Sequence, residues 1–502
     1  MVFFAGIPHV VAFSLLVAVL FRLFLTRRRN PLPPGPKGLT SLIDTLAIRL
    51  GVKKPSSQHL YLDYIDLAKR YNTDVLHIEV LGDHTIVLNS MKAVMEIFDK
   101  RSALYSDRPH LPMINDLMGW FWDFGHYYPI QRLATNKLMK RLLDSPEDFN
   151  THFQRHSGNI ILRVTYGMTS EEDQDFYVKL VHRAIEPFHA AFNHGTYLVD
   201  YFPPLKHIPA WFPGAGFKRN AKIWSQYAFD LRDKPWEKMK ASIKAGTVPP
   251  CFVTENLERF GSESEMEEVV KNTSAVAYLG GSDSSVTLML SIILNLLLHP
   301  EIQEKAQAEL DSVLGQDGSQ ARRLPDYSDR PFLSYIDAII DEVMRLQPIT
   351  PLAAPHRVME HDIYEGYWIP KGSTVIGNAW AILHDPEVYP EPFKFDPDRF
   401  IKKEGQELPP NPSLFGFGFG RRICPGRWLA LDTTWLVIAS LLATCNFKKA
   451  LDVNGKEIEP VVEYEYALIS HPKPFKCRFV PRSPEAVKLM QNGFDEKDVT
   501  DT

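Results

Sequence analysis

The stretch "SLFGFGFGRRICPGRWLA", Ser413 to Ala430, decides the fold. It places three glycines at alternate positions, then two arginines, then Cys424, one of only four cysteines in the chain, and then a proline–glycine pair before an apolar run. Glycine reaches backbone conformations that other residues resist, so the pattern predicts a short bulged loop pressed against a ligand surface. Nearby arginines and a following helix N-terminus favour the thiolate form of the cysteine. From these residues alone, an inert buried cysteine in a turn remains the alternative.

The composition is that of a globular protein. Hydrophobic residues make up 45% of the 502 residues, charged residues make up 23%, and the formal net charge is -5. These proportions are unlike those of disordered chains. No dense basic stripe is visible, which excludes nucleic-acid binding as a function class. The cysteines show no C-x-x-C pairing and are too sparse for a disulfide framework, so we expect a reducing compartment.

The N-terminus departs from the globular pattern. Residues 2–26 are almost wholly apolar and are followed by three arginines, Arg27 to Arg29. About 20 apolar residues span a bilayer, and positive charge after the span places the rest of the chain in the cytosol. The pattern predicts a transmembrane anchor over 1–26 and a basic, proline-rich hinge over 27–38. A cleaved signal peptide and a buried helix are the alternatives to an anchor.

The main domain is expected over 39–482, mainly α with small segregated β-sheets (α+β), with a loose polar tail over 483–502. Alternating residues around Leu81–His84 predict a β-hairpin, and most segments from Met91 to Leu346 have helical periodicity. Short β-branched runs return near 361–376 and 474–481. The strands are therefore expected at one side of a helical body.

One predicted helix is long enough to cross the whole domain. It begins with a candidate capping box, Ser264 and Glu267, and its apolar pattern continues to about Leu298. Gly280 and Gly281 lie in its middle and would each cost about 1 kcal/mol in a plain helix. Close approach of a flat ligand or a local opening of the helix explains the pair, and a packing notch against another helix is the alternative.

The cysteine loop resembles the haem-binding loop of the cytochrome P450 family. Its signature, F-x-x-G-x-R-x-C-x-G, is matched at every fixed position, by Phe417, Gly420, Arg422, Cys424 and Gly426. Three further family segments occur in the expected order: "GGSDSS" at 280–285, "EVMR" at 342–345 and "PDRF" at 397–400. The resemblance covers nearly the whole chain and is of the microsomal type. Residues 364–400 are especially similar to fungal, basidiomycete-like secondary-metabolism monooxygenases.

The resemblance implies a P450 fold with haem b held between the long central helix and the cysteine loop. Cys424 would be the axial thiolate ligand, which pushes electron density onto the iron and favours O–O cleavage. Arg422 would hold a haem propionate, and His356 is a second candidate for that role, with Arg357 as its rival. Three further residues of the loop are assigned to the cofactor site: Phe417, Gly420 and Gly426.

Glu342 and Arg345 stand three residues apart on a predicted helix and therefore share one face. Taken alone, such a pair is usually a solvated surface salt bridge. The resemblance instead implies a buried structural network with Arg399, a partner that can bind a carboxylate through two nitrogens.

Asp283 and Ser284 occupy the positions where the family usually has an acid followed by threonine. O₂ activation needs two protons, which an acid–alcohol relay delivers. Serine keeps the hydroxyl but lacks the methyl group and stiff rotamer of threonine, so we expect a looser relay. Ser285 is a possible substitute donor.

The sequence departs from the family at the W-x-x-x-R pair that usually binds a propionate. Arg132 stands at the tryptophan position and Asn136 at the arginine position. Because a buried charge needs a partner, we predict that Arg132 took over the propionate contact. A solvated surface role for Arg132 is the alternative. Lys137, Lys140 and Arg141 are expected to form part of a basic face where an acidic reductase docks.

Together these features predict a haem-thiolate monooxygenase of the endoplasmic reticulum membrane with its catalytic domain in the cytosol. It would insert one atom of O₂ into a lipophilic small molecule, such as a terpenoid or other secondary metabolite. NADPH would supply the electrons through a separate reductase. The aromatic segment Tyr201–Arg219 is predicted to contact the bilayer at the substrate entrance, with a plain buried loop as the alternative. Two rival functions are an isomerase or dehydratase on the same scaffold and a non-catalytic haem- or sterol-binding membrane protein.

Overall fold

The computed structural model describes residues 31–36, 60–80, 83–105, 128–192, 197–260, 264–315 and 319–493. The predicted anchor over 1–26 lies outside these residues. The described part of the hinge lies against the domain and does not extend away from it as a spacer would. The Pro34 carbonyl accepts a hydrogen bond from the His77 backbone at 2.9 Å, and the Pro31 carbonyl accepts one from Trp368 at 2.7 Å.

Helices dominate the described chain. In chain order the first eight are α1 (Leu60–Arg70), α2 (Met91–Val94), α3 (Ser102–Tyr105), α4 (Tyr128–Asp144), α5 (Phe149–Tyr166), α6 (Glu171–Phe192), α7 (Leu198–Tyr201) and α8 (Gly216–Ala245). The next eight are α9 (Phe252–Phe260), α10 (Ser264–Leu298), α11 (Pro300–Leu314), α12 (Ser334–Leu346), α13 (Ala379–Leu383), α14 (Ser413–Gly416), α15 (Arg427–Thr444) and α16 (Pro484–Asn492). A π-helical turn, Met95–Lys100, continues α2, and a 3₁₀ turn, Gly420–Arg422, lies in the cysteine loop.

The strands form one four-stranded sheet and three two-stranded ribbons. They are β1 (Val75–Val80), β2 (Asp83–Leu88), β3 (His356–Arg357), β4 (Asp362–Tyr364), β5 (Tyr367–Ile369), β6 (Thr374–Gly377), β7 (Cys445–Lys449), β8 (Tyr464–Tyr466), β9 (Ser470–Pro472) and β10 (Cys477–Pro481). The larger sheet has the order β1-β2-β6-β3, and the ribbons pair β4 with β5, β7 with β10, and β8 with β9. The predicted hairpin is β1 and β2, which pair antiparallel from Val75 with Leu88 to Val80 with Asp83.

The largest core surrounds three helices, α10, α12 and α15. On α12 the buried residues recur every three or four positions, as Ile336, Ile339, Ile340 and Val343 show, which is the pattern of a helix with one apolar face. The helices α10 and α15 are apolar on nearly every face, as expected for helices surrounded by protein. The helix α10 is long and apolar enough to cross a membrane, but most of its apolar stretch is buried within the domain.

The prediction of a loose tail from Ser483 is wrong for its first part, because α16 packs on the core. The Ser483 hydroxyl accepts a hydrogen bond from the Ala486 backbone at 3.1 Å and so caps the helix. Ala486 and Met490, four residues apart, form its buried face, and the Met490 sulfur lies 3.6 Å from that of Cys445. A capping serine and two apolar residues at helical spacing were therefore enough to order this segment.

Candidate active site

The cysteine loop is a tight turn that leads into α15. The backbone N–H of Cys424 donates to the Phe417 carbonyl at 2.8 Å and closes the turn. Gly418 and Gly420 have φ values of 83° and 54°, in the left-handed region that residues with a Cβ rarely adopt. The glycine pattern is therefore required by the backbone, as the sequence predicted.

Cys424 differs from the other cysteines in its surroundings. It is exposed, whereas Cys251, Cys445 and Cys477 are buried. Burial raises the thiol pKa of Cys445 to about 12, and burial also raises that of Cys477 to about 12, so neither is suited to be a thiolate. Gly426 opens α15 beside the thiol, and a Cβ at Gly426 would lie 3.8 Å from the Cys424 sulfur. Among the four cysteines, Cys424 is thus the residue that fits the axial ligand of a haem.

The two glycines of α10 have different roles, and the helix stays continuous through both. A Cβ on Gly281 would lie 2.9 Å from Cδ1 and Cγ1 of Ile161 on α5, so Gly281 is a packing notch. A Cβ on Gly280 would meet no atom within 4 Å, although most of the surrounding helix is buried. Gly280 is exposed and borders open space, which suits the close approach of a flat ligand. The packing notch is confirmed for Gly281, the predicted opening of the helix is not observed, and the approach of a ligand at Gly280 stays a prediction.

Asp283 is buried one turn from this open space, and its carboxylate lies between two histidines from distant parts of the chain, of which only His471 is within hydrogen-bonding distance. The Oδ2 atom lies 2.8 Å from Nε2 of His471 on β9 and 3.7 Å from Nε2 of His189 on α6. The Ser284 hydroxyl, which is partly exposed, donates to the Gly280 carbonyl at 2.8 Å. Acid and alcohol are thus neighbours on α10, with the alcohol on the side of the open space.

The histidines change the protonation of this cluster. Burial opposes ionisation of Asp283, but the hydrogen bond from His471 and the charges of His471, His189 and His182 outweigh it, and the pKa of Asp283 lies below its usual range. Burial lowers the pKa of His189 to about 4, so its imidazole is neutral at neutral pH. The pKa of His471 is raised, because the hydrogen bond to Asp283 and its charge outweigh the effect of burial. Asp283 is therefore an ionised carboxylate beside one protonatable imidazole.

The predicted network of Glu342, Arg345 and Arg399 is brought together by the structure. The Arg345 guanidinium binds Glu342 through two nitrogens, at 2.7 Å and 2.9 Å, and both side chains are wholly buried. Arg399 Nε lies 3.0 Å from Oε2 of Glu342 but is not aligned for a hydrogen bond. Arg345 also donates to the carbonyls of Leu383 and Pro392, so the network ties α12 to the chain that precedes the cysteine loop.

His356 lies on β3 at the edge of the larger sheet, where it is buried. Its Nδ1 is 2.6 Å from the Tyr105 carbonyl, and its ring is 4.2 Å from that of Phe98. Phe98 in turn stacks on Phe419 of the cysteine loop at 5.3 Å. His356 is thus connected to the cysteine loop through one aromatic ring, while Arg422 lies exposed on the loop itself. The assignment of both residues to propionates stays a prediction.

Arg132 has a carboxylate partner within the protein. Its Nε and Nη2 lie 3.0 Å and 2.7 Å from Oδ1 of Asp326, and its guanidinium lies 5.7 Å from the centre of the Tyr327 ring. This pair accounts for the partly buried charge of Arg132 without a propionate. A fully solvated surface role for Arg132 does not fit either, since only 19% of its side chain is exposed. The propionate contact of Arg132 stays a prediction.

The sequence did not reveal the partners of Asp283. His471 is 188 residues away from it along the chain, and no spacing pattern connects His189, Asp283 and His471. Only the packing of α6 and β9 against α10 brings them together. The sequence also gave no signal for the buried Gln131, whose amide joins α4 to the Thr433 hydroxyl on α15 at 2.7 Å.

A helical body with small lateral sheets, a long core helix and an exposed cysteine in a glycine-rich turn define a haem-thiolate protein. Comparison with known proteins agrees, since the family model described as "Cytochrome P450" matches residues 130–479. The chain belongs to the cytochrome P450 family. The predicted resemblance and fold class are both confirmed.

Relatives match along nearly the whole chain. A cytochrome P450 monooxygenase of Armillaria gallica is 39% identical over 97% of this chain and 99% of its own length. The tryptamine 4-monooxygenase of Psilocybe cyanescens is 34% identical over 92% of this chain and 95% of its own. A zebrafish cytochrome P450 solved with progesterone has a TM-score of 0.69 at 23% identity, covering 85% of this chain and all of its own, and shows the fold alone. The protein is a P450 monooxygenase whose cofactor is haem with a cysteine thiolate ligand.

Proposed function

We propose that the protein is a monooxygenase of the endoplasmic reticulum membrane that inserts one atom of O₂ into a lipophilic small molecule, a terpenoid or another secondary metabolite. NADPH supplies the electrons through a separate reductase. The observation that carries this proposal is the exposed thiol of Cys424 in a turn that opens directly into α15. A thiolate at a helix N-terminus is stabilised by the partial positive charge of that end of the helix.

The haem would be held by the Cys424 thiolate and by Arg422, with His356 as a second propionate partner. Phe417, Gly420 and Gly426 shape the turn around the ligand. When bound, the haem supplies the iron at which O₂ is activated for insertion. The chain itself keeps the thiolate fixed: the Cys424 N–H is already engaged by the Phe417 carbonyl, so the turn cannot open without losing that bond.

Asp283 and Ser284 move protons toward the open space beside Gly280. The Asp283 carboxylate accepts a hydrogen bond from His471, which is the nearest source of a proton. Ser284 presents its hydroxyl on the adjacent position, and Ser285, which is buried, is less accessible for this role. The partly exposed His471 returns a proton to Asp283, and the Ser284 hydroxyl lies beside the open space. Together the three residues form a proton relay from solvent inward.

The segment Tyr201–Arg219 supports a second membrane contact. Three of its aromatic side chains are turned outward: Phe202 is 54% exposed, Trp211 79% and Phe212 48%. The alternative of a plain buried loop does not fit this exposure. Exposed aromatics beside cations are typical of segments that lie in the membrane interface. The segment would let lipophilic substrates enter from the bilayer, and the anchor over 1–26 would hold it there.

The basic face of α4 is the proposed docking site of the reductase. Lys140 is exposed, and Lys137 and Arg141 lie on the same helix. A positive patch attracts an acidic electron donor and orients it before contact.

The ligand assignment is tested with two cysteine variants. Cys424→Ala should abolish the thiolate-type carbon monoxide difference band of the reduced protein, whereas Cys445→Ala should retain it, since burial disfavours the thiolate at Cys445. An unchanged band in Cys424→Ala would overturn the assignment.

The reaction is tested by co-expression with a reductase in a terpenoid-fed host, followed by extraction of products. New oxygenated products that require both the reductase and NADPH support the proposal. Products that form without a reductase would favour the isomerase or dehydratase, and haem binding without any product would favour the non-catalytic alternative.

A further inference from the structure

Three metal-ligating side chains from three separate elements meet beside the open space. They are His189 of α6, Asp283 of α10 and His471 of β9, and their ligand atoms all lie within 4.8 Å of one another. The cluster is not at the cysteine loop and shares no residue with it. Two imidazoles and a carboxylate are a ligand set that divalent transition metals use in proteins.

The distances are compatible with three ligands around one ion. Nε2 of His471 is 2.8 Å from Oδ2 of Asp283 and can hydrogen-bond to it, but Nε2 of His189 is 3.7 Å away and cannot. Two ligand atoms each about 2.1 Å from a tetrahedral zinc ion are about 3.4 Å apart. The observed separations fall on either side of this value, so small side-chain movements would place all three ligands around one ion.

A fourth imidazole lies nearby on α6. His182 precedes His189 by seven residues and therefore lies on the same face of the helix. Its Nε2 is buried and has no hydrogen-bond partner among the described residues, and it acts electrostatically on Asp283. A buried polar atom without a partner is unusual, because desolvation is not compensated.

The ligands are held by rigid structure, and one of them is open to solvent. The backbone at His471 is held by its neighbour Ser470. The Ser470 N–H donates to the Ile349 carbonyl at 2.8 Å, and the Ser470 hydroxyl accepts a hydrogen bond from the Gln347 side-chain amide at 2.7 Å. His471 is 30% exposed, whereas His189 and Asp283 are 12% and 9% exposed. The ion therefore has an entry path, and the site has the rigidity that metal sites need.

We propose that His189, Asp283 and His471 form a site for a divalent transition metal, with Zn²⁺ as the ion that fits the ligand set and spacing best. Occupation ties α6 and β9 to α10. It also engages the carboxylate of Asp283, so bound zinc slows proton delivery; this second consequence rests on the proposed function, and the binding itself does not.

The test measures zinc bound to the purified holoenzyme. The protein is freed of adventitious metal with a chelator and dialysed against micromolar Zn²⁺, and zinc is counted by elemental analysis against haem iron. Wild type should hold one zinc per haem at this cluster, and His189→Ala and His471→Ala should each weaken binding by about 10-fold or more. A thiolate-type carbon monoxide band in each variant shows that the fold is kept.

A second cluster of the chain supplies the matched control. His77, Glu79 and His84 also lie within ligand distance of one another, on the β1–β2 hairpin. His84→Ala should leave the zinc of the first cluster in place. Equal zinc binding in wild type, His189→Ala and His471→Ala, or complete loss of zinc in His84→Ala, would overturn the proposed site.

Measurements of turnover test the metal site and the proton relay separately. Added Zn²⁺ should slow product formation in wild type, and His189→Ala, which removes a metal ligand but not the proposed proton source, should be much less sensitive to it. Zinc that binds at the cluster but leaves turnover unchanged would keep the metal site and overturn the role of Asp283 in proton delivery.

Discussion

Glu342 and Arg345 face each other one turn apart on α12, joined by two charged hydrogen bonds, and neither side chain has any exposed surface. Glu342 also accepts the backbone N–H of Asp396 at 2.8 Å. The carboxylate thus connects α12 to the segment before the cysteine loop. A buried charge of this kind is stable only while every partner is present.

Glu342→Gln should therefore be severely destabilising. The substitution keeps the shape but leaves the buried Arg345 cation unpaired, which costs about 3–5 kcal/mol. Thermal unfolding and the haem content of the purified protein measure the effect. Lys234→Ala removes a partly exposed pair with Asp230 and should change either quantity far less. Equal stability of the two variants would contradict a structural role for the network.

Alanine at the two central glycines of α10 should have opposite effects. Both changes improve helix propensity by about 1 kcal/mol. Any difference in stability between the two variants therefore reports what surrounds each glycine. Gly281→Ala places a methyl group 2.9 Å from Ile161 and should be less stable than Gly280→Ala by about 1–3 kcal/mol. Gly280→Ala should keep stability and alter substrate or haem binding, because its methyl group enters the open space. Equal unfolding temperatures for both variants would refute the assignment of the notch to Gly281.

The proposed relay predicts a defect in coupling and not in binding. Asp283→Asn and Ser284→Ala should keep haem and bind substrate but divert electrons from NADPH to peroxide, because only proton delivery is damaged. The measurement is product formed per NADPH together with peroxide released. Ser285→Ala, at a buried neighbouring position, is the control and should remain coupled. An unchanged product yield per NADPH in both relay variants would show that the protons travel by another route.

Stability should depend on pH through Asp341. Burial, with the nearby Asp337 charge, raises the pKa of Asp341 to about 7, whereas an unfolded aspartate titrates near about 3.9. The folded state holds this proton more tightly, so its contribution to stability is present at low pH and is lost as pH rises from about 4 through about 7.

The asparagine side chain of Asp341→Asn cannot ionise, so the variant should not lose this stability as pH rises. The variant should gain more unfolding temperature over wild type at about pH 8 than at about pH 5, because only part of the loss has occurred at about pH 5. The Asn411 amide, which donates to Asp341 at 2.8 Å, can still find an acceptor in the variant. Asp99→Asn, at an exposed position, should show no such difference between the two pH values. A variant that is stabilised equally at both pH values would contradict the prediction.

The role of Arg132 is decided by comparing it with its observed partner. If Arg132 binds a propionate, Arg132→Ala should lose haem during purification more than Lys140→Ala does, and Asp326→Asn should retain haem. If Arg132 serves only the pair with Asp326, the Arg132 and Asp326 variants should behave alike. Normal haem occupancy in Arg132→Ala, or equal haem loss in Asp326→Asn, would end the propionate assignment.

The sequence by itself determined the features that depend on local backbone requirements. The alternate glycines before Cys424 predicted a turn with left-handed residues, and the structure has them at Gly418 and Gly420. Alternation over twelve residues predicted the β1–β2 hairpin, and a continuous apolar pattern predicted α10 with its correct bounds, Ser264 to Leu298. The triad around Glu342 was predicted through the family resemblance. Such features are readable because each depends on residues within one or two turns, or on a motif of fixed spacing.

Only the tertiary structure decided how distant side chains meet. Asp283 is hydrogen-bonded by His471 and lies near His189, and Arg132 pairs with Asp326. The order of α16 depends on its contact with the core. No spacing along the chain predicts these contacts, because they depend on how helices and ribbons far apart in sequence pack against one another. The same holds for the two glycines of α10: their neighbours in sequence are alike, and only the position of α5 makes Gly281 a notch and leaves Gly280 open.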